Sequence, residues 1–391
     1  MNMMMKTPTN QFSFYEFFSG GGMARLGLGA SWDCLFANDN CMKKAESYKA
    51  NFAPAEELHV GDIEQITVDM LPDHADMLWA SFPCQDLSLA GNGAGLAGDR
   101  SGVFWSFLEI AKGLNAVHRK PKIIVLENVE GAVTSNDGND FKIIIESLID
   151  QSYSVGAIIM DAVEFLPQSR PRLFVIGVDK GLAIPENLVA REPMSHWHTD
   201  AIQKAHGNLS AKAKKNWLWF NLPKPTGSNK KFGDLIEDDP TGTKWHSDDE
   251  TAYLLSLMNE RHKEKVNNAI RTSLREKRRM VGGVYKRTRN GQQRAEVRFD
   301  DIAGCLRTPK GGSSRQSIIV VDGNRVRSRL LSTREVARLM GIDDSYILPK
   351  QYNQAYQLAG DGLAVPVVKH LSEHLLLPLL EDQSGLTLAA E

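Results

Sequence analysis

The chain has 391 residues, 42% hydrophobic and 24% charged, with a net charge of −2. That composition excludes a disordered or collagen-like chain and leaves a globular protein of two domains, or of one large domain with an insertion. The near-neutral balance gives no bulk signature of a nucleic-acid binder, so such a role must rest on local patches. Cys34, Cys41, Cys84 and Cys305 show no CxxC spacing, which argues against a zinc cage or a disulfide framework, and no metal is expected. Met1 to Gln11 lacks an apolar signal core and no run approaches transmembrane length, so a cytoplasmic protein without membrane contact is expected.

In chain order, Phe12–Phe18, Leu35–Asn38, Met77–Phe82 and Ile123–Glu127 are short apolar runs with strand character. Between them, Met42–Phe52 and Phe104–Val117 carry apolar residues at helical spacing, the latter at Phe104, Phe107, Leu108, Ala111 and Leu114. This alternation predicts an α/β domain with a mostly parallel sheet and helices on both faces. Tyr153–Ala162 and Arg172–Val178 are expected as an antiparallel pair at one edge. After about residue 185 the rhythm is lost and tryptophans cluster at 197, 217, 219 and 245. Asn259 to Arg298 holds 13 Lys/Arg against 4 Asp/Glu. Ser332-Thr333-Arg334-Glu335 reads as a capping box opening a helix through Met340, and a last apolar helix is expected over Val365–Leu380.

Several short segments carry candidate chemistry, and each has a plainer explanation. Phe17-Phe18-Ser19-Gly20-Gly21-Gly22 follows the first strand, where glycines let backbone N–H groups approach a ligand; a tight packing turn has the same sequence. Asp39 ends the second strand about 20 residues on, suited to ribose hydroxyls. Asp62, in Gly61-Asp62-Ile63, could accept from an adenine amino group, although single acids more often cap or face solvent. Phe82-Pro83-Cys84-Gln85 places a thiol at the carboxyl edge of a parallel sheet, where ligands bind; in isolation a buried inert cysteine is the commoner case. Glu127-Asn128-Val129 ends the next strand and would put an acid beside that thiol. Gln168-Ser169-Arg170-Pro171-Arg172 supplies two arginines able to clamp phosphate or carbonyl oxygen, although most exposed arginines are merely solvated.

In this order, the segments resemble those of the DNA (cytosine-5) methyltransferase family of bacterial restriction-modification or orphan type. The Phe-x-Gly-x-Gly turn is Phe18, Gly20 and Gly22; the Pro-Cys-Gln loop is Pro83, Cys84 and Gln85; Glu-Asn-Val is Glu127 to Val129. Gln-x-Arg-x-Arg is Gln168, Arg170 and Arg172, and Arg329 to Glu335 matches a later segment. Two positions depart from the pattern: Met23 stands where a further glycine is usual, and Asp361, in Gly360-Asp361-Gly362, replaces an asparagine.

The resemblance implies a Rossmann-like, S-adenosyl-L-methionine-dependent methyltransferase fold with an inserted smaller target-recognition domain. Residues 1–185 and 326–391 would form the catalytic domain and 186–325 the DNA-reading one. Cys84 would add to C6 of a flipped-out cytosine and Glu127 would hydrogen-bond its N3/N4 edge. Arg172 would contact O2, and Arg170 a neighbouring phosphate or loop. Phe18, Gly20, Gly22, Asp39, Asp62, Val103 and Asp361 would surround the cofactor, with Pro83 and Gln85 shaping the substrate loop and Gly91–Gly98 a lid. The implied partners are double-stranded DNA, met partly by the basic stretch and by Arg307–Gly312, and a restriction endonuclease acting on the same site; a monomer is the default. An RNA cytosine methyltransferase, a nicotinamide-dependent oxidoreductase and a DNA-binding module without catalysis are the rival readings.

Overall fold

The computed structural model describes residues 11–83, 103–227, 230–289, 291–306 and 315–381. Cys84, Gln85, the Gly91–Gly98 stretch and Arg307–Gly312 lie outside the described residues.

The chain divides into two compact units: 1–161, 171–225 and 365–391 form the first, and 162–170 with 226–364 the second. In the first, β1 (Phe12–Phe17), β2 (Trp32–Asp39), β3 (Leu58–Val60), β4 (Met77–Ala80) and β5 (Ile123–Val129) are parallel neighbours. β6 (Tyr153–Asp161) and β7 (Pro171–Asp179) close the sheet antiparallel, in the order β3-β2-β1-β4-β5-β7-β6. The central strands are buried nearly end to end, which is why they read as continuous apolar runs rather than alternating ones. α1 (Met23–Leu28), α2 (Met42–Asn51), α3 (Val103–Ala116) and α4 (Asn139–Asp150) are the crossovers. The apolar residues of α3 named in the sequence pattern are all buried, in one core with Tyr15, Leu78, Ile124 and Leu126.

The compact units do not break where the sequence pattern changes. Residues 186–225 carry β8 (Val189–Ala190), α5 (Asp200–Gly207), α6 (Ala211–Lys215) and β9 (Trp219–Phe220). They remain with the first unit because they satisfy the outer edge of β6. Val155 donates to Asn216 O at 2.9 Å, Leu218 donates to Val155 O at 2.9 Å, and Ile159 donates to Trp197 O at 2.9 Å. Trp197, Trp217 and Trp219 thus belong to an edge cover that buries backbone groups an open edge would expose, whereas Trp245 lies in the second unit.

In the second unit α7 (Asp248–Ser256) and α8 (Glu260–Glu276) precede a hairpin of β10 (Met280–Arg289) and β11 (Gln292–Arg298). With β12 (Ser317–Asp322) and β13 (Arg325–Leu330) these make a four-stranded antiparallel sheet, β11-β10-β12-β13. Val266 and Ala269 of α8 pack on Val284, Val297 and Ile319 of the sheet. β13 pairs with β12 throughout, so residues 326–364 belong to this body rather than to the first. They include α9 (Thr333–Leu339) and α10 (Tyr352–Asp361). The capping box at Ser332 and Glu335 is formed as expected. Beneath it Arg329 and Glu335, both fully buried, make a two-pronged ion pair at 2.6 and 2.7 Å. Conformational support thus accounts for that sequence segment.

α11 (Val365–Leu371) returns to the first unit and continues through a π-turn, Ser372–Leu376. Tyr352–Glu381 has the length and hydropathy of a membrane span, contrary to the sequence expectation. However, α10 ends at Asp361 and α11 begins at Val365, so the segment is broken, and 61% of its apolar window is buried as in a core helix.

Candidate active site

Parallel strands end at one edge of a sheet, and the order in the first unit makes that edge specific. β1 and β4 are neighbours whose connections leave in opposite directions, so a crevice opens beyond their carboxyl ends. Phe17 is paired with Ala80, and Ser81 N donates to Phe17 O at 3.3 Å. The glycine turn and the Phe82-Pro83 segment therefore leave the sheet side by side. Asp39, Gly61-Asp62 and Glu127 end β2, β3 and β5 at the same edge. β7 runs the other way, so its first residues, Pro171 and Arg172, arrive there too.

The turn after β1 is strained. Phe18 has φ of 60°, a left-handed backbone that costs energy in a bulky residue and persists only where neighbours enforce it. Here Ser19 N donates to Asn38 O at 2.9 Å and Gly22 N to Ser19 O at 2.8 Å. Gly22 has φ of 79°, and a Cβ there would lie 2.3 Å from the Phe52 ring. Met23 is buried at the start of α1. Asp39 ties β2 to this turn: one carboxylate oxygen accepts from Gly20 N at 2.9 Å and the other from Cys41 N at 2.8 Å. Asp62 is exposed and accepts from Glu64 N at 3.1 Å, capping the short helix Ile63–Gln65. Val103 and Phe18, both half-buried, pack against the same core.

Two polar residues at this turn were not singled out in the sequence. Ser19 Oγ and Glu16 Oε2 are buried without a hydrogen-bond partner among the described residues. Burial pushes the Glu16 carboxyl up to about 8; Arg25 opposes this, and Asp39 and Glu57 add to it. The signal was available, because Glu16 is the one charged residue within the apolar strand Phe12–Phe17.

On β5, Glu127 and Asn128 point to opposite faces. Glu127 is 8% exposed and pairs with Arg172, Nε to Oε1 at 3.2 Å. Arg172 also donates to Pro171 O at 2.8 Å. Asn128 donates to Phe82 O at 3.3 Å, fixing the end of β5 to the segment that leads into Pro83 and Cys84. Pro83 itself is exposed.

The two arginines of Gln-x-Arg-x-Arg part company at the boundary between the units. Arg170 is only 2% exposed and donates to Gly360 O at 2.9 Å, Gly362 O at 2.6 Å and Leu306 O at 3.3 Å. Its contacts at Gly360 and Gly362 hold the end of α10. Asp361, the last residue of α10, is exposed and accepts from Gln357 at 3.4 Å.

The basic stretch is partly ion-paired. Arg271, Arg275, Arg278, Arg287 and Arg298 are all ion-paired with neighbouring carboxylates. Arg279 binds Asp238 and the carbonyls of Gly233 and Ile236. Glu264, Glu276 and Glu296 lie within the counted stretch, whereas Asp238 and Asp300 lie outside it. Among the described residues no group of three or more His, Cys, Asp or Glu could hold a metal ion.

Residues 12–376 match the family model of the C-5 cytosine-specific DNA methylases. The chain is 28% identical to the type II methyltransferase M.BsuFI of Bacillus subtilis, covering 94% of this chain and 74% of that protein. It is 28% identical to M.NgoBI of Neisseria gonorrhoeae, over 95% of both. Similar solved folds include the Dnmt2 methyltransferase of S. pombe (TM-score 0.54, 18% identity, 94% of this chain and 99% of that one). The Entamoeba histolytica methyltransferase EhMeth is another (TM-score 0.56, 17% identity, 96% and 99%). The ordered segments at one sheet edge and the match along nearly the whole chain lead to one assignment: this protein belongs to the C-5 cytosine-specific DNA methylase family.

Proposed function

We propose that this protein is a DNA (cytosine-5)-methyltransferase that uses S-adenosyl-L-methionine and Cys84 to methylate a flipped-out cytosine in duplex DNA. The observation that carries this reading is the Glu127–Arg172 pair at the carboxyl edge. It stands where the chain enters the segment bearing Cys84, and Asn128 holds that entry through Phe82 O.

The residues at the glycine turn fit the cofactor. Asp39 offers a carboxylate for ribose hydroxyls, Phe18 an apolar face held in a strained turn, and Ser19 and Glu16 two buried polar atoms that a polar ligand would satisfy. When bound, S-adenosyl-L-methionine supplies an electrophilic methyl group.

C5 of cytosine is a weak nucleophile. Attack of the Cys84 thiolate on C6 places electron density on C5, while Glu127 protonates or hydrogen-bonds N3 and Arg172 faces O2. After C5 is methylated, a base takes the C5 proton, the C5–C6 double bond re-forms and the thiolate leaves. None of these atoms is reachable in a stacked duplex, so the base must turn out. The second unit, 162–170 and 226–364, is assigned to DNA recognition in place of 186–325, because 186–225 serve the sheet edge. Cytoplasmic location, a monomeric state and a companion endonuclease are parts of the same reading.

Methyl transfer from labelled cofactor to unmethylated duplex DNA and to tRNA, followed by bisulfite sequencing, tests the activity. Methylcytosine in a fixed duplex context is expected; transfer to tRNA alone would replace DNA by RNA as substrate.

A further inference from the structure

The second unit contains a cavity of about 680 Å³, lined by Thr243, Lys244, His246, Arg315, Tyr352 and Asn353 among others. Among the described residues its lining includes three basic side chains and no carboxylate. The local sequence explains how they converge. His246 N donates to Ser328 O at 2.9 Å, docking the segment along the outer edge of β13. The Trp245 ring turns away from the cavity and takes the guanidinium groups of Arg327 and Arg329, 4.0 and 4.8 Å from its centroid. Its neighbours Lys244 and His246 are thereby left on the cavity side. Across it, the Arg315 guanidinium lies 5.7 Å from the Tyr352 ring centroid, while the Tyr352 hydroxyl is spent on Leu331 O at 2.6 Å.

The contrast with α8 and the β10–β11 hairpin is the deciding point. There Arg271, Arg275, Arg278 and Arg287 have carboxylate partners. Lys244 and Arg315 have none among the described residues. His246 Nδ1 meets Ser328 Oγ at 2.9 Å, and when that hydroxyl donates, the imidazole proton sits on Nε2, available to a ligand. Glu250, the carboxylate that acts on His246, accepts from Ser247 N at 2.8 Å in the capping box of α7.

We propose that this cavity seats a phosphodiester of the DNA backbone, held by Lys244, His246 and Arg315 and contacted without regard to base sequence. The proposal rests on the duplex-DNA reading above. Thr243 and Asn353 add polar side chains to the lining, and Tyr352 presents a ring already covered by Arg315, which suits a phosphate better than a stacked base.

The test is binding of labelled duplexes of unrelated sequence across a salt series. The slope of log affinity against log salt should fall by about 0.9 for each phosphate that is no longer neutralised. Lys244→Gln with Arg315→Gln, which empties a seat for one phosphate, should therefore lower it by about that amount, equally on every duplex. Arg315→Lys should keep the slope, and Arg271→Gln, on an ion-paired residue, should leave it unchanged. Unfolding midpoints close to that of the unaltered chain establish that the variants are folded. An unchanged slope in the folded double variant overturns the seat while leaving the methyltransferase reading intact. If the unaltered chain has no duplex affinity, that reading fails first. Stabilisation by inorganic phosphate that depends on Lys244 and Arg315, with an unchanged duplex slope, would assign the cavity to free phosphate and also overturn the proposal.

Discussion

Arg172 Nε stands 3.2 Å from Glu127 Oε1 across the β5–β7 ladder, on a diagonal set by the pairing of Glu127 with Phe174. Residues two apart on a strand share a face, so this register alone brings acid and base together. Glu127→Gln keeps the shape but removes the carboxyl's ability to carry a proton. It should lower the methylation rate by at least about 100-fold with cofactor affinity unchanged. Single-turnover methyl transfer and calorimetry with S-adenosylhomocysteine check this, and an unimpaired rate would remove Glu127 from the chemistry.

Asp39 bridges the glycine turn and the end of β2, so its loss should act on the cofactor rather than on DNA. Asp39→Ala leaves Gly20 N and Cys41 N without their acceptor. S-adenosylhomocysteine affinity should fall by about tenfold or more, the worth of a charge-assisted hydrogen bond. Calorimetry without DNA is the check; unchanged affinity would exclude Asp39 from the site.

Arg170 should behave as a positioning residue. Arg170→Ala strands buried carbonyl oxygens at Gly360, Gly362 and Leu306 and should cost about 3 kcal/mol of stability. Arg170→Lys should recover little, because one ammonium cannot reproduce the fork. Denaturant unfolding measures the loss. A lowered salt slope of DNA binding with unaltered stability would instead make Arg170 a phosphate ligand.

Glu16 links pH to stability. Its folded pKa, about 8, exceeds the ordinary value of 4.5, so the native state holds an extra proton between these limits. That contribution is full below about pH 4.5 and is lost as pH rises through 8, on the order of 5 kcal/mol in all. Glu16→Gln cannot titrate, so its stability should fall less than the unaltered chain's between pH 5 and 8. Parallel stability curves for the two chains would contradict the buried neutral carboxyl.

The parallel sheet was legible because its central strands are buried on both faces and spell apolar runs, and α3 because one face alone is apolar. The segments at the carboxyl edge were legible because each ends a strand. Tertiary choices were hidden. Trp217 looked like part of a separate domain, yet its segment covers the edge of β6, a hydrogen-bonding role that composition does not encode. Arg170 and Arg172, two residues apart, serve different bodies, since the unit boundary falls between them. Arg279 counted as positive surface, yet Asp238, outside the stretch, and the carbonyls of Gly233 and Ile236 hold it.

The central claim is the covalent role of Cys84, and duplex DNA carrying 5-fluorocytosine at the target position tests it most directly. Fluorine cannot leave C5 as a cation, so the thiolate cannot be eliminated after methyl transfer. A protein–DNA complex that survives denaturation should form, require S-adenosyl-L-methionine, and be absent for Cys84→Ala. It should persist in Cys34→Ala, Cys41→Ala and Cys305→Ala wherever those variants fold. Trapping by Cys84→Ala, or methylation of ordinary DNA by it, would contradict the account.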